Sequence, residues 1–231
     1  MASFFLSFGA KANSPDFDEE LTRARFENMT SIVEMRYTEE VQTIIRNYLV
    51  NRRSVAEDVV SRMMLYSPIF DYYFEKYDLP KELIFLAIIE SRLEPKAKSR
   101  VGALGIWQLM APTAKELGLR IYHSVDERRD VYRSTDAACR YLKKLHNRFG
   151  DWTLAIAAYN SGQGRVSRIL SESGGSTYWD IQDLLPRETS IYVPAFIAAT
   201  FVFSDFNVAI TAILTYQNDT KSQLFLFLIY Q

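Results

Sequence analysis

Apolar positions along this chain recur at helical spacing almost everywhere, and strand-like alternation is rare. Polar, charged helices are predicted over 16–29 and 39–49, joined by an extended Ile32-Val33-Glu34-Met35 segment. Two more are predicted from Ser54 or Val55 to Met64 and from Pro68 to about Tyr77. The next, 81–90, opens after Pro80 and is apolar on nearly every face, the mark of a buried helix. Further helices are predicted at 111–117, 135–149, 152–160, 163–170 and about 190–203, with loops at 94–104, 118–132 and 171–186. The fold class is therefore all-α. Four segments follow: 1–15 as a signal-peptide remnant or frayed apolar terminus, 16–78 as an N-terminal helical arm, 79–204 as a compact unit, and 205–231 as a tail of unassigned structure.

Glu90 breaks the pattern. It ends the run Leu83-Ile84-Phe85-Leu86-Ala87-Ile88-Ile89, where a carboxylate is disfavoured twice. Burial favours the neutral acid, and the negative end of the helix dipole repels the charged one. Both push the pKa upward, the direction a general acid needs near neutral pH. The plainer alternative is a solvated helix end, with Ser91, Arg92 and Pro95 opening a surface loop.

Composition narrows the classes. Hydrophobic residues make up 48% of 231 and aromatics 14%, enough for a substantial core. A net charge of -1 gives no electrostatic footprint for nucleic acid. Cys139 is the single cysteine, which excludes a disulfide framework, and its helix-face position reads as a small buried hydrophobe. His123 and His146 lack carboxylates at ligand spacing, so no metal is assigned. The apolar stretch from Val193 to Leu214 is interrupted by Asp205 and Asn207 and is not read as a membrane span, and the run 224–230 is too short for one.

Three segments acquire meaning together: Ile89-Glu90-Ser91, then Ser99-x-x-Gly102-Ala103-x-Gly105-Ile106-Trp107-Gln108-Leu109-Met110, then Ala158-Tyr159-Asn160-Ser161-Gly162. In order and spacing they resemble the motif set of bacterial lytic transglycosylases of the soluble type, in the glycoside hydrolase class that also holds goose-type lysozyme. The resemblance covers about 79–199. Val33-Glu34-Met35, Pro68-Ile69-Phe70 and Leu185-Pro186-Arg187-Glu188-Thr189 make it strongest toward the D-type membrane-bound subfamily.

That resemblance implies a lysozyme-like helical domain with a glycan cleft, no cofactor, and peptidoglycan strands as the partner of a monomeric enzyme. It implies export to the periplasm or cell envelope, with the outer membrane as a candidate site of association. Glu90 would act as acid and then base at the bond between N-acetylmuramic acid and N-acetylglucosamine, leaving a 1,6-anhydromuramoyl end. Ser99, Gln108 and Met110 resemble cleft residues at the scissile bond, against a reading as ordinary loop and cap residues with Gly102 and Gly105 as turn formers. Tyr159 would position Glu90, and Asn160 would hold a loop or sugar; without the other motifs they read as core and helix terminator. Glu188 and Tyr192, one helical turn apart, would share a face on the cleft rim. Trp107 would shape a subsite. Asp126 and Glu127 lie in a polar loop and read as solvated charge, so no second carboxylate pairs with Glu90 as a two-carboxylate glycosidase requires. The alternatives are a goose-type muramidase using water and a silent peptidoglycan-binding module.

Overall fold

The computed structural model describes residues 17–218, with side chains through 206. The expectations for 1–15 and for 224–230 lie outside the described residues.

Side-chain caps set several helix starts. Asp18, Thr38, Asp130 and Asp151 each accept an amide N–H three residues on, opening α1 (Glu19–Glu27), α2 (Glu39–Arg46), α6 (Val131–Phe149) and α7 (Trp152–Ser161). A π-helical turn, Asn47–Asn51, leads from α2 into α3 (Arg53–Tyr77). A 3-10 turn, Lys81–Leu83, leads into α4 (Ile84–Ser91), and α5 (Ala111–Glu116) carries a proline in its first turn. The described residues end in α8 (Gln163–Ser173), α9 (Tyr178–Ile181), α10 (Arg187–Ser190) and α11 (Tyr192–Asn218).

Three expectations change. The helices expected on either side of Pro68 are one, α3. Pro68 is exposed, as is Met64, whose carbonyl the missing N–H would have bonded, so water can take that carbonyl. Met63, Phe70 and Phe74 meanwhile hold the opposite face in the core. In the 118–132 loop, Ile121–Tyr122 and Val125–Asp126 form a two-stranded antiparallel hairpin, β1 and β2. Its tip, His123-Ser124, lacks the Asn-Gly or Asp-Gly signature that would have announced it. Third, α11 does not stop at 203. It passes through Asp205, which is held by Arg25 of α1 at 2.8 Å.

α11 is the central element, packed against α2, α3, α4 and α7. By length and composition the stretch 187–206 could cross a membrane, but here most of it is buried inside the protein. Phe26 of α1 lies 5.7 Å from Phe201, and Tyr48 lies 5.3 Å from Phe203. One apolar core therefore runs from Phe26 to Phe203, through both the N-terminal helices and the unit that follows. Cys139 is buried within it.

Candidate active site

Glu90 lies in the last turn of α4, half-buried, behind a run of fully buried residues. Arg92 and Leu93 both take left-handed backbone angles (φ 57° and 59°), so the chain turns sharply away just after it. The Tyr192 hydroxyl, from the first turn of α11, donates to the Glu90 carboxylate. Burial pushes the Glu90 pKa up to about 7; the Tyr192 hydrogen bond pulls it down, and the Glu188 charge pushes it up. Loss of that donor should leave the charged form less favoured. Tyr192→Phe is expected to move the Glu90 midpoint above about 7. An NMR titration of the carboxyl carbon reads this directly, and an unchanged or lower midpoint would eliminate the contact.

The segment 97–110 forms a loop whose carbonyls are taken up one by one. Ser91, next to Glu90, donates to Ile106 O (2.7 Å). Tyr159 donates to Trp107 O (2.8 Å), and the Gln108 amide nitrogen donates to Gly105 O (2.8 Å) and Ala97 O (3.0 Å). Ser99 and Ala103 bond through both backbone and side chain, each at 2.9 Å. From outside the loop, Arg128 donates to Gly102 O (2.9 Å) and Leu109 O (3.0 Å), while Asp126 grips the same guanidinium at 2.7 and 2.9 Å. A loop satisfied this completely is rigid.

The glycines differ in role. Gly102 (φ 93°) faces open space and serves only the turn. At Gly105 (φ 85°) a Cβ would sit 1.8 Å from the Arg128 carbonyl oxygen, so the bare backbone is needed for close approach.

Several expected roles shift. Tyr192, not Tyr159, makes the hydrogen bond to Glu90; the Tyr159 hydroxyl is engaged by Trp107 O. Tyr159 still feels the Glu90 charge, and burial first, then that charge, raises its pKa well above the usual phenol value. Glu188 and Tyr192 do not share one continuous helix face, because the chain breaks at Ile191 between α10 and α11. Glu188 is exposed and Tyr192 is buried, yet both act on Glu90. Asn160 accepts from Thr189 Oγ1 (2.8 Å) and so ties α7 to α10. Met110 stands exposed where α5 begins.

Trp107 shapes no subsite by contact. It is fully buried, its ring tilted against Phe70 (5.3 Å between centroids), with its indole N–H donating to Thr135 at 2.9 Å. Glu127 is not solvated charge either. It is buried, and its carboxylate accepts from the Arg120 backbone N–H at 2.8 Å and pairs with Arg133 at 3.4 Å. Those contacts, the backbone one foremost, lower its pKa despite burial. Asp126 is lowered chiefly by Arg128. Sequence reading did not single out Arg128, and it quoted Ser91 in the first motif without giving it a role. The alternating charges of Asp126-Glu127-Arg128-Arg129-Asp130 were the available signal, but such a run is ordinarily a solvated surface.

An acid on a buried helix end, a rigid Gly-bracketed loop and a Tyr-Asn helix end now stand in one arrangement. Residues 68–182 match the family described as the transglycosylase SLT domain. The chain carries a transglycosylase SLT domain. It is 37% identical over 175 residues to membrane-bound lytic murein transglycosylase D of Escherichia coli (strain K12), covering 74% of this chain and 37% of that protein. Among solved structures, the 70 kDa soluble lytic transglycosylase of Escherichia coli matches with a TM-score of 0.53 and 28% identity, over 61% of this chain and 24% of that one. A complex of the 70-kDa soluble lytic transglycosylase with bulgecin A matches with a TM-score of 0.57 and 28% identity, over 72% and 27%. The SLT domain here thus has the lysozyme-like, all-α fold of those enzymes. The chain spans little more than a third of the length of the curated relative, 37%. The match begins at Pro68, inside α3, so the SLT domain shares its first helix with the N-terminal segment.

Proposed function

We propose that this protein is a peptidoglycan lytic transglycosylase of the cell envelope with Glu90 as its single acid–base group. The observation that carries this reading is Glu90 itself, held half-buried with a pKa pushed up to about 7 and a tyrosine donor on its carboxylate. As the glycosidic bond breaks, the Glu90 proton passes to the leaving oxygen of N-acetylglucosamine. The positive charge at the muramoyl anomeric carbon is met by the substrate's own N-acetyl oxygen, a known route for glycosidases that use one carboxylate. The Glu90 carboxylate then takes the proton of the muramoyl 6-hydroxyl as that oxygen bonds to the anomeric carbon. Glu90 ends protonated, a 1,6-anhydro ring closes, and no water is consumed. Ser99, Gln108 and Met110, on the rigid loop, would line the sugar subsites, with Asn160 holding α10 at the edge.

Glu188 favours one second reading. Its charge acts on Glu90, so a second carboxylate is within electrostatic range, as a water-activating base in a goose-type muramidase would be. Mass spectrometry of fragments released from purified sacculi separates the two. Anhydromuramoyl ends are expected, and Glu188→Gln should still give them. Reducing ends that disappear in Glu188→Gln would establish hydrolysis instead. No release at all would leave a binding module.

A further inference from the structure

A cavity lies at the end of α4, on the side of the N-terminal helices. It measures about 290 Å³, with Ile44 of α2, Ile89 of α4 and Ala195 of α11 among its apolar walls. Ile89 directly precedes Glu90, and Ala195 is three residues, one helical turn, beyond Tyr192. The polar lining includes Arg52, Arg92 and Tyr48.

The charge balance here is unusual. Neighbouring arginines have acidic partners, Arg53 with Glu57 at 3.4 Å and Arg62 with Glu94 at 3.5 Å. Among the described residues, Arg52 and Arg92 have none. The charges acting on the half-buried Tyr48 hydroxyl are those of Arg92 and Arg52, both positive. Arg92 is also fixed at its backbone: it closes α4 in the left-handed region, and its carbonyl accepts from Arg62 at 3.3 Å. Both arginines are exposed at the cavity's rim, where their guanidinium groups have no acidic partner among the described residues, and an anion seated over the apolar floor would pair with them. The volume selects the anion's size. Ligand pockets run from about 300 Å³ upward, so this one suits a side chain or a peptide terminus rather than a disaccharide.

We propose that this cavity is a subsite for a carboxylate of the peptide stem borne by muramic acid, gripped by Arg52 and Arg92 next to the cleft. The proposal rests on the peptidoglycan reading above and gives the enzyme a preference for peptide-bearing over naked strands. The preference arises because a naked strand offers the guanidinium pair no anion.

Binding by the Glu90→Gln protein tests it without requiring turnover. Three fluorescent glycan strands of equal length are compared: peptide-bearing, peptide-free, and peptide-bearing with its carboxylates amidated. The peptide-bearing strand should bind about tenfold more tightly than the other two, as expected for a charge-assisted contact at a partly solvated site. Adding Arg52→Gln and Arg92→Asn should erase that difference while leaving peptide-free binding within about twofold, asparagine being tolerated in the left-handed position. Arg52→Lys should recover part of it. Equal affinity for all three strands in the Glu90→Gln protein, or equal loss on all three in the arginine variant, overturns the proposal. Failure of the activity reading shows separately, as absent release by the unmodified enzyme.

Discussion

Glu90→Gln should lower turnover on sacculi by about a thousandfold, the usual worth of a positioned acid–base group, while making the protein more stable at alkaline pH. The two effects share one cause. The folded carboxyl holds its proton up to about 7, whereas the unfolded value is near 4.5. Between those values the folded state binds a proton that the unfolded state does not, so stability falls as pH rises through the window and levels off above it. Glutamine has no proton to lose and can still accept from Tyr192. At pH 8 the variant should gain on the order of 2 kcal/mol in unfolding free energy, and near pH 4 it should gain nothing. Urea denaturation at both values measures this. A variant that keeps full activity ends the assignment of Glu90. A gain equal at both pH values means that the Glu90 pKa is not raised in the folded protein. Wild-type activity should also decline above about pH 7, as the acid form is lost.

Arg128→Met should be the most damaging change outside the Glu90 pair. Arg128 is 7% exposed, yet its guanidinium bonds Asp126 and two carbonyls of the loop that carries Gln108. Methionine keeps the bulk but removes the guanidinium from Asp126, the side-chain donor to Gly102 O and one of the two donors to Leu109 O, which keeps only the Leu104 N–H. Breaking a buried pair of this kind costs roughly 3 kcal/mol, which for a domain of this size lowers Tm by about 8 °C. Thermal unfolding reads the first effect. The second is a kcat/KM loss of about tenfold or more at temperatures where the variant is fully folded, because the loop loses its fixed shape. A variant that unfolds early but keeps full kcat/KM when folded would show that Arg128 supports the fold and not the site.

Local signals account for much of the fold. Helix caps such as Asp18, Thr38, Asp130 and Asp151 act within one turn, so they and the helices they open can be read from neighbouring residues. The same holds for Glu90, whose burial follows from the seven apolar residues before it. Failures came where distant groups decide. Pro68 sits within α3 because the carbonyl it leaves unbonded faces solvent, and that face is set by packing on Trp107 and α11. Glu127 and Arg128 look solvated in sequence, and only the loop folded over them reveals their burial. The motif resemblance assigns Glu90 to Tyr159 and the cleft rim to Tyr192, but the Trp107 carbonyl claims the Tyr159 hydroxyl and leaves Glu90 to Tyr192.

The sequence by itself determined the helical class, the acid at a buried helix end and the three motifs that gather around it, because periodicity, capping and the cost of burying a charge are local properties. Only the tertiary structure decided which tyrosine meets Glu90, that Gly105 must lack a side chain, and that Arg52 and Arg92, without acidic partners among the described residues, line one cavity. Those outcomes depend on atoms brought together from opposite ends of the chain, where a hydrogen bond or a clash turns on a separation of about an ångström.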